Sequence, residues 1–138
     1  MITLITGNKG SGKTKRLIEF CNEAISRTKG NVIFIEKGTD LTYDISHKAR
    51  LVDTESYGIS GFTSFHGFLS GLCAGDYDIT DIIIDSTLKI GGRDLEEFAD
   101  FVEHLSVLSK ADDVNFVFTV STDPKEIPAR VDEFVTKI

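Results

Sequence analysis

At 138 residues the chain has room for one domain with a single core. Its 41% hydrophobic and 27% charged residues describe an ordinary globular protein, and a net charge of −7 disfavours nucleic acid as a partner. No apolar run approaches the roughly 18 residues of a membrane span, and the first residues show neither a basic nor a long apolar region. A cytoplasmic protein without a membrane partner or signal peptide is expected.

Ile2 to Thr6 reads as a buried strand entering a glycine-rich loop. Residues 13 to 28 place Leu17, Ile18, Cys21, Ala24 and Ile25 on one helical face, with Gly30 as the terminating glycine. Residues 31 to 38, NVIFIEKG, form a second apolar strand. The stretch 38 to 60 mixes alternating Leu41, Tyr43 and Ile45 with an extended piece from Arg50 to Asp53, and reads as a hairpin or irregular excursion. Phe65, Phe68, Leu69, Leu72 and Cys73 recur at helical spacing and give a second helix, with Phe62, Phe65 and Phe68 read as core rather than a base-stacking platform. A third strand occupies residues 81 to 86, DIIIDS, where Asp81 is expected to face solvent. Gly91 and Gly92 precede a helix from about Asp94 to Lys110. NFVFTVS, residues 115 to 121, is a fourth strand; Pro124 and Pro128 bracket a short turn, and EFVTKI supplies a last strand. Such βα alternation, without linker, repeat or low-complexity tract, describes one α/β domain over 1–138 with a mainly parallel sheet.

The chemistry begins in the loop. Gly7-Asn8-Lys9-Gly10-Ser11-Gly12-Lys13-Thr14 fits G-x-x-x-x-G-K-[ST] at every fixed position, between a strand and a helix. Its glycines let consecutive N–H groups converge on phosphate oxygens, and the helix dipole favours an anion at that end. Lys13 would reach the β and γ phosphates, Lys15 flanks them, and the Thr14 hydroxyl would bind Mg²⁺. Asp85, closing the run Ile82-Ile83-Ile84, is the expected partner of that metal. Many hydrolases of this class place a glutamate next; here the position is Ser86. Glu36, at the end of the second strand, would share the phosphate edge of a parallel sheet and is the candidate base.

Over about its first 36 residues the chain resembles the RecA-like P-loop NTPases, and DIIID and FVFTVS are similar to the same plan. That resemblance implies a three-layer α/β/α sandwich, a five-stranded sheet ordered 5-1-4-3-2, Glu36 as the water-polarising residue, and Ser121 or Thr122 as a γ-phosphate sensor. The chain also resembles, over most of its length, small clostridial ATP-binding proteins labelled twitching-motility-like, a resemblance that carries no activity with it. Lys9 stands third in the motif, whereas deviant phosphate loops carry their extra lysine second.

The expected function is Mg-ATP binding with slow or partner-dependent hydrolysis. A homo-oligomer or protein partner would complete the site, since Arg50, Arg93 and Arg130 read as solvated surface residues. ATP rather than GTP follows from the lack of an N-K-x-D guanine-reading motif. Two alternatives stay open. One is a small-molecule kinase similar to zinc-bearing thymidine kinases but lacking their Cys-rich lobe, which should show an acceptor pocket near residues 40 to 65. The other is a non-hydrolysing nucleotide switch. His47, His66 and His104 lack metal-ligand spacing, and Cys21 and Cys73 read as small core residues.

Overall fold

A computed structural model describes residues 1–138. Strands β1 (Ile2–Gly7), β2 (Asn31–Glu36), β3 (Ala49–Asp53), β4 (Ile79–Ile84), β5 (Asn115–Ser121) and β6 (Thr136–Lys137) form one sheet in the order β3-β2-β4-β5-β1-β6. Every pairing is parallel. Helices α1 (Lys13–Arg27), α2 (Phe62–Gly75), α3 (Thr87–Gly91) and α4 (Leu95–Asp112) connect them.

The apolar strands read as they do because both faces of the sheet are covered. Val32, Phe34, Ile83 and Val117 pack with Leu17, Cys21 and Ala24 of α1. The alternate residues Ile33, Ile35, Ile82, Ile84, Phe116 and Phe118 join α2, α3 and α4 in the larger core. Phe62 and Phe65 meet Phe101 there at ring-centroid distances of 5.0 and 5.4 Å. Cys21 and Cys73 are buried free thiols, each pushed up to about 11 by burial first and a nearby aspartate second, so both remain protonated core residues.

Several expectations need correction. The sheet has six strands, not five, and its order differs by an added edge strand: β3 lies outside β2 in parallel register, with Ile33 opposite Arg50 and Ile35 opposite Val52. The excursion after β2 is therefore not a hairpin. It is a helix-free crossover on the α1 face, anchored there by buried Ile45. Gly30 does not cap α1. Thr28 does, in an extended conformation, and Gly30 instead passes against the Asp78 carbonyl, where a Cβ would not fit. Asp81 does not face solvent: its side chain is 3% exposed and pairs with Arg27 at 3.0 Å. α3, too short for periodicity to announce, is inserted before Gly92. No helix is long and apolar enough to cross a membrane.

Candidate functional site

The end of α1 nearest the glycine-rich loop carries donors without acceptors. α4 shows the ordinary alternative: Asp94 accepts the N–H groups of Glu96 and Glu97, and acidic residues occupy the first turn. α1 begins instead after Gly12, whose φ of 85° suits glycine alone, and has neither a side-chain cap nor a first-turn acid. The N–H groups of Gly10, Gly12, Lys13, Thr14 and Lys15 donate to no acceptor in the protein. Gly7 packs so tightly on Ser11 that a Cβ there would strike the Ser11 side chain. The loop is thus a cradle of free amides at the positive end of a helix.

Lys13 lies across this cradle. Its Nζ donates to the Asn8 carbonyl at 2.9 Å and to Ser11 Oγ at 3.3 Å. Burial lowers its pKa, and the opposing charge of Asp85 raises it in part. The ammonium is held by neutral acceptors, with no carboxylate in ion-pair contact.

The ends of β4 and β5 supply a polar chain facing α1. Thr14 Oγ1 donates to Asp85 Oδ1 at 3.2 Å, and Thr119 Oγ1 donates to the same oxygen at 2.9 Å. Thr119 Oγ1 in turn accepts the Ser86 N–H at 2.7 Å. Ser86 adopts φ 54°, ψ 56°, a left-handed conformation costing a non-glycine residue roughly 1–2 kcal/mol. That turn lifts the chain off β4 directly after Asp85, which stays 8% exposed.

Glu36 closes the site from β2. It is 7% exposed, a buried carboxylate rather than a surface one. Its Oε2 accepts the Leu41 N–H at 3.0 Å, tying the strand end to the crossover loop. Desolvation raises its pKa above the ordinary glutamate value, with Asp85 and Asp40 adding to the rise and the Leu41 N–H opposing it.

These groups line a cleft of about 650 Å³ at the carboxyl ends of the strands. Of the residues singled out in the sequence, Lys9, Gly10, Gly12, Lys13, Thr14, Lys15, Glu36, Asp85 and Ser121 line it. Gly7, Asn8 and Ser11 stand behind the loop as its supports. Thr122 is not part of the cleft; its hydroxyl turns to Glu126 at 3.2 Å. None of Phe62, Phe65 and Phe68 reaches it either.

Thr119, Lys89 and Asp40 were missed by sequence reading and do line it, as do Leu41, Ser86 and Arg93, which the sequence reading named without giving them a place in the site. Thr119 left a usable signal, a lone hydroxyl inside the apolar run from Phe116 to Val120. Arg93 is not simply solvated: its Nη1 donates to the Ser121 carbonyl at 3.3 Å. Arg130 is an exposed surface residue, as expected, and bridges Glu96 and Asp100 at 3.1 and 2.9 Å. His66 and His104 come together, ring centroids 5.2 Å apart, and neither lines the cleft; no group of three or more His, Cys, Asp or Glu side chains is placed to hold a metal.

No protein-family model matches the chain, and no curated protein matches it either. Function must therefore be argued from the cleft itself.

Proposed function

We propose that the cleft binds a nucleoside triphosphate with Mg²⁺, ATP by the sequence reading above, and that the chain hydrolyses it slowly or under the control of a partner. The observation that carries this is the convergence of free α1 amides, Lys13 and the Thr14–Asp85 pair on one cleft. In an acidic chain the cleft is locally cationic: Lys9, Lys13, Lys15, Lys89 and Arg93 face Glu36, Asp40 and Asp85, five positive groups against three negative. Polyphosphate is the anion such a set suits, with amides for its oxygens and lysine for its charge.

The donor set fits magnesium. That ion takes few protein ligands, commonly one carboxylate and a hydroxyl, and completes its octahedron with water and phosphate. Thr14 and Asp85, 3.2 Å apart, would hold it, and the bound ion would neutralise charge on the phosphates. The lack of a three-ligand protein cluster is in keeping with that mode.

In this reading Glu36 orients and deprotonates water. Its raised proton affinity makes it a better base than an exposed glutamate, and only one of its two oxygens is tied to Leu41. A second cavity of about 650 Å³ bears on the kinase alternative. Its lining includes His47, Lys48, Ala49, Arg50, Val52 and Tyr57, within the 40–65 stretch where that alternative expects an acceptor pocket. It shares no lining residue with the phosphate cleft.

Phosphate release from Mg-ATP by wild type, Lys13→Ala and Glu36→Gln tests the proposal. Lys13→Ala should abolish binding and release together. Glu36→Gln should keep binding and lose on the order of 10²-fold or more in release. Glu36→Gln turning over like wild type would remove Glu36 as the base, and a wild type that binds no nucleotide would end the proposal.

A further inference from the structure

Two of the cleft's cations, Lys89 and Arg93, come from the segment that follows β4. After Asp85, the left-handed Ser86 turns the chain into α3, of which Thr87, Leu88, Ile90 and Gly91 are buried. Lys89 alone of that helix is exposed, and it lines the cleft. Gly91 is packed against the ring of Phe62, and the Ile90 carbonyl accepts the Gly61 N–H at 2.9 Å, so the short helix is fixed to the larger core. Gly92, at φ 108°, then returns the chain to the cleft, where Arg93 spans to the last residue of β5.

Neither Lys89 nor Arg93 forms an ion pair with a carboxylate. Arg93 uses one N–H on the Ser121 carbonyl, leaving four donors of its guanidinium for something else. Ser121 lies beside Gly7, its partner in the β1–β5 register, so Arg93 is anchored next to the strand that feeds the glycine-rich loop. An anion held by the loop amides and Lys13 would thus meet a second pair of cations, carried on a segment that the core holds in place.

We propose that Lys89 and Arg93 bind the terminal phosphoryl group and make the site prefer a triphosphate to a diphosphate within a single chain. This rests on the reading that the cleft holds a nucleoside polyphosphate. It assigns from within the chain the charge that an oligomer neighbour was expected to supply.

The test is equilibrium titration with Mg-ADP and with a non-hydrolysable Mg-ATP analogue, at about 0.15 M salt so that long-range attraction is screened. Wild type, Lys13→Ala, Lys89→Ala, Arg93→Ala and Arg93→Lys are compared, with thermal unfolding as a check on folding. Lys89→Ala and Arg93→Ala should weaken the triphosphate analogue on the order of 10- to 100-fold and leave Mg-ADP within about twofold. Arg93→Lys should recover only part of the loss, since a point charge lacks the planar fork. Equal weakening of both nucleotides, or no change in either, would overturn the proposal while Lys13-dependent binding by wild type left the nucleotide site standing. Wild type binding neither nucleotide would overturn both.

Discussion

Thr119 on β5 and Asp85 just past the end of β4 share a hydrogen bond of 2.9 Å that is buried, with Thr119 1% exposed. The same hydroxyl accepts the Ser86 N–H, so one threonine holds both the carboxylate of the cleft and the strained turn after it. Thr119→Val keeps the shape and removes both bonds, leaving the Ser86 N–H without its acceptor. A loss of about 1–3 kcal/mol in stability is expected by chemical denaturation. Affinity for Mg-ATP should fall with it. Unchanged stability would mean that the Ser86 turn is held by other contacts.

Gly91 and Gly67 give a matched pair. A Cβ on Gly91 would run into the Phe62 ring, which is itself wedged against Phe98 and Phe101 at 5.9 and 5.0 Å. Gly91→Ala should cost about 1–3 kcal/mol and shift α3, taking Lys89 with it. A Cβ on Gly67, in the middle of α2, meets open space. Gly67→Ala should stabilise by roughly 0.5–1 kcal/mol through helix propensity and a restricted unfolded chain. Thermal unfolding of the two variants, with opposite signs expected, checks the packing of α3.

Glu36 sets a pH dependence whose sign can be worked out. Its folded pKa is raised, so in the window above the ordinary glutamate value the native state holds the proton more tightly than the unfolded chain. Its contribution is then unfavourable above the folded pKa and is relieved as pH falls through that value. Glu36→Gln can still accept the Leu41 N–H and carries no charge to desolvate. At neutral pH it should be the more stable protein, and its advantage should shrink as pH falls through the folded pKa of Glu36. Thermal melts of both proteins between about pH 4 and 8 measure the difference. An advantage independent of pH would place its origin outside this carboxylate.

How legible the fold was depended on whether an element had to hide both faces. Ile82-Ile83-Ile84 and Val32 to Ile35 are apolar without interruption because helices cover them on both sides, and both strands could be read directly. β3 sits at the sheet edge, where Arg50 is exposed and only Ala49 and Val52 are buried, so its pattern resembles a loop or hairpin arm. Its crossover has no helix to announce a parallel return. The glycine-rich loop was legible because its chemistry lies in consecutive residues. Thr119, Lys89 and Arg93 join the cleft through the topology that sets β5 beside β4 and β1, and no local pattern encodes that adjacency. Asp81 misled because its cover, Arg27, lies 54 residues away.

The ion pair of Arg27 with Asp81 offers a last structural check. Asp81 also receives hydrogen bonds from Thr80 and Asn115 at 2.7 and 3.4 Å, yet Arg27 is the one cation on it. Arg27→Ala leaves a buried carboxylate without its charge partner and should destabilise by about 1–3 kcal/mol in urea denaturation. A neutral result would show that the Thr80 and Asn115 bonds suffice.

The central claim is that the α1 loop and the Thr14–Asp85 pair together hold a Mg-nucleoside triphosphate. Calorimetric titration of ATP into wild type, Lys13→Ala and Asp85→Asn, each with Mg²⁺ and with chelator, tests it most directly. Wild type should bind, Lys13→Ala should not, and Asp85→Asn should lose most of the difference between magnesium and chelator. Binding by Lys13→Ala as tight as that of wild type, or no binding by wild type with magnesium present, would contradict the account.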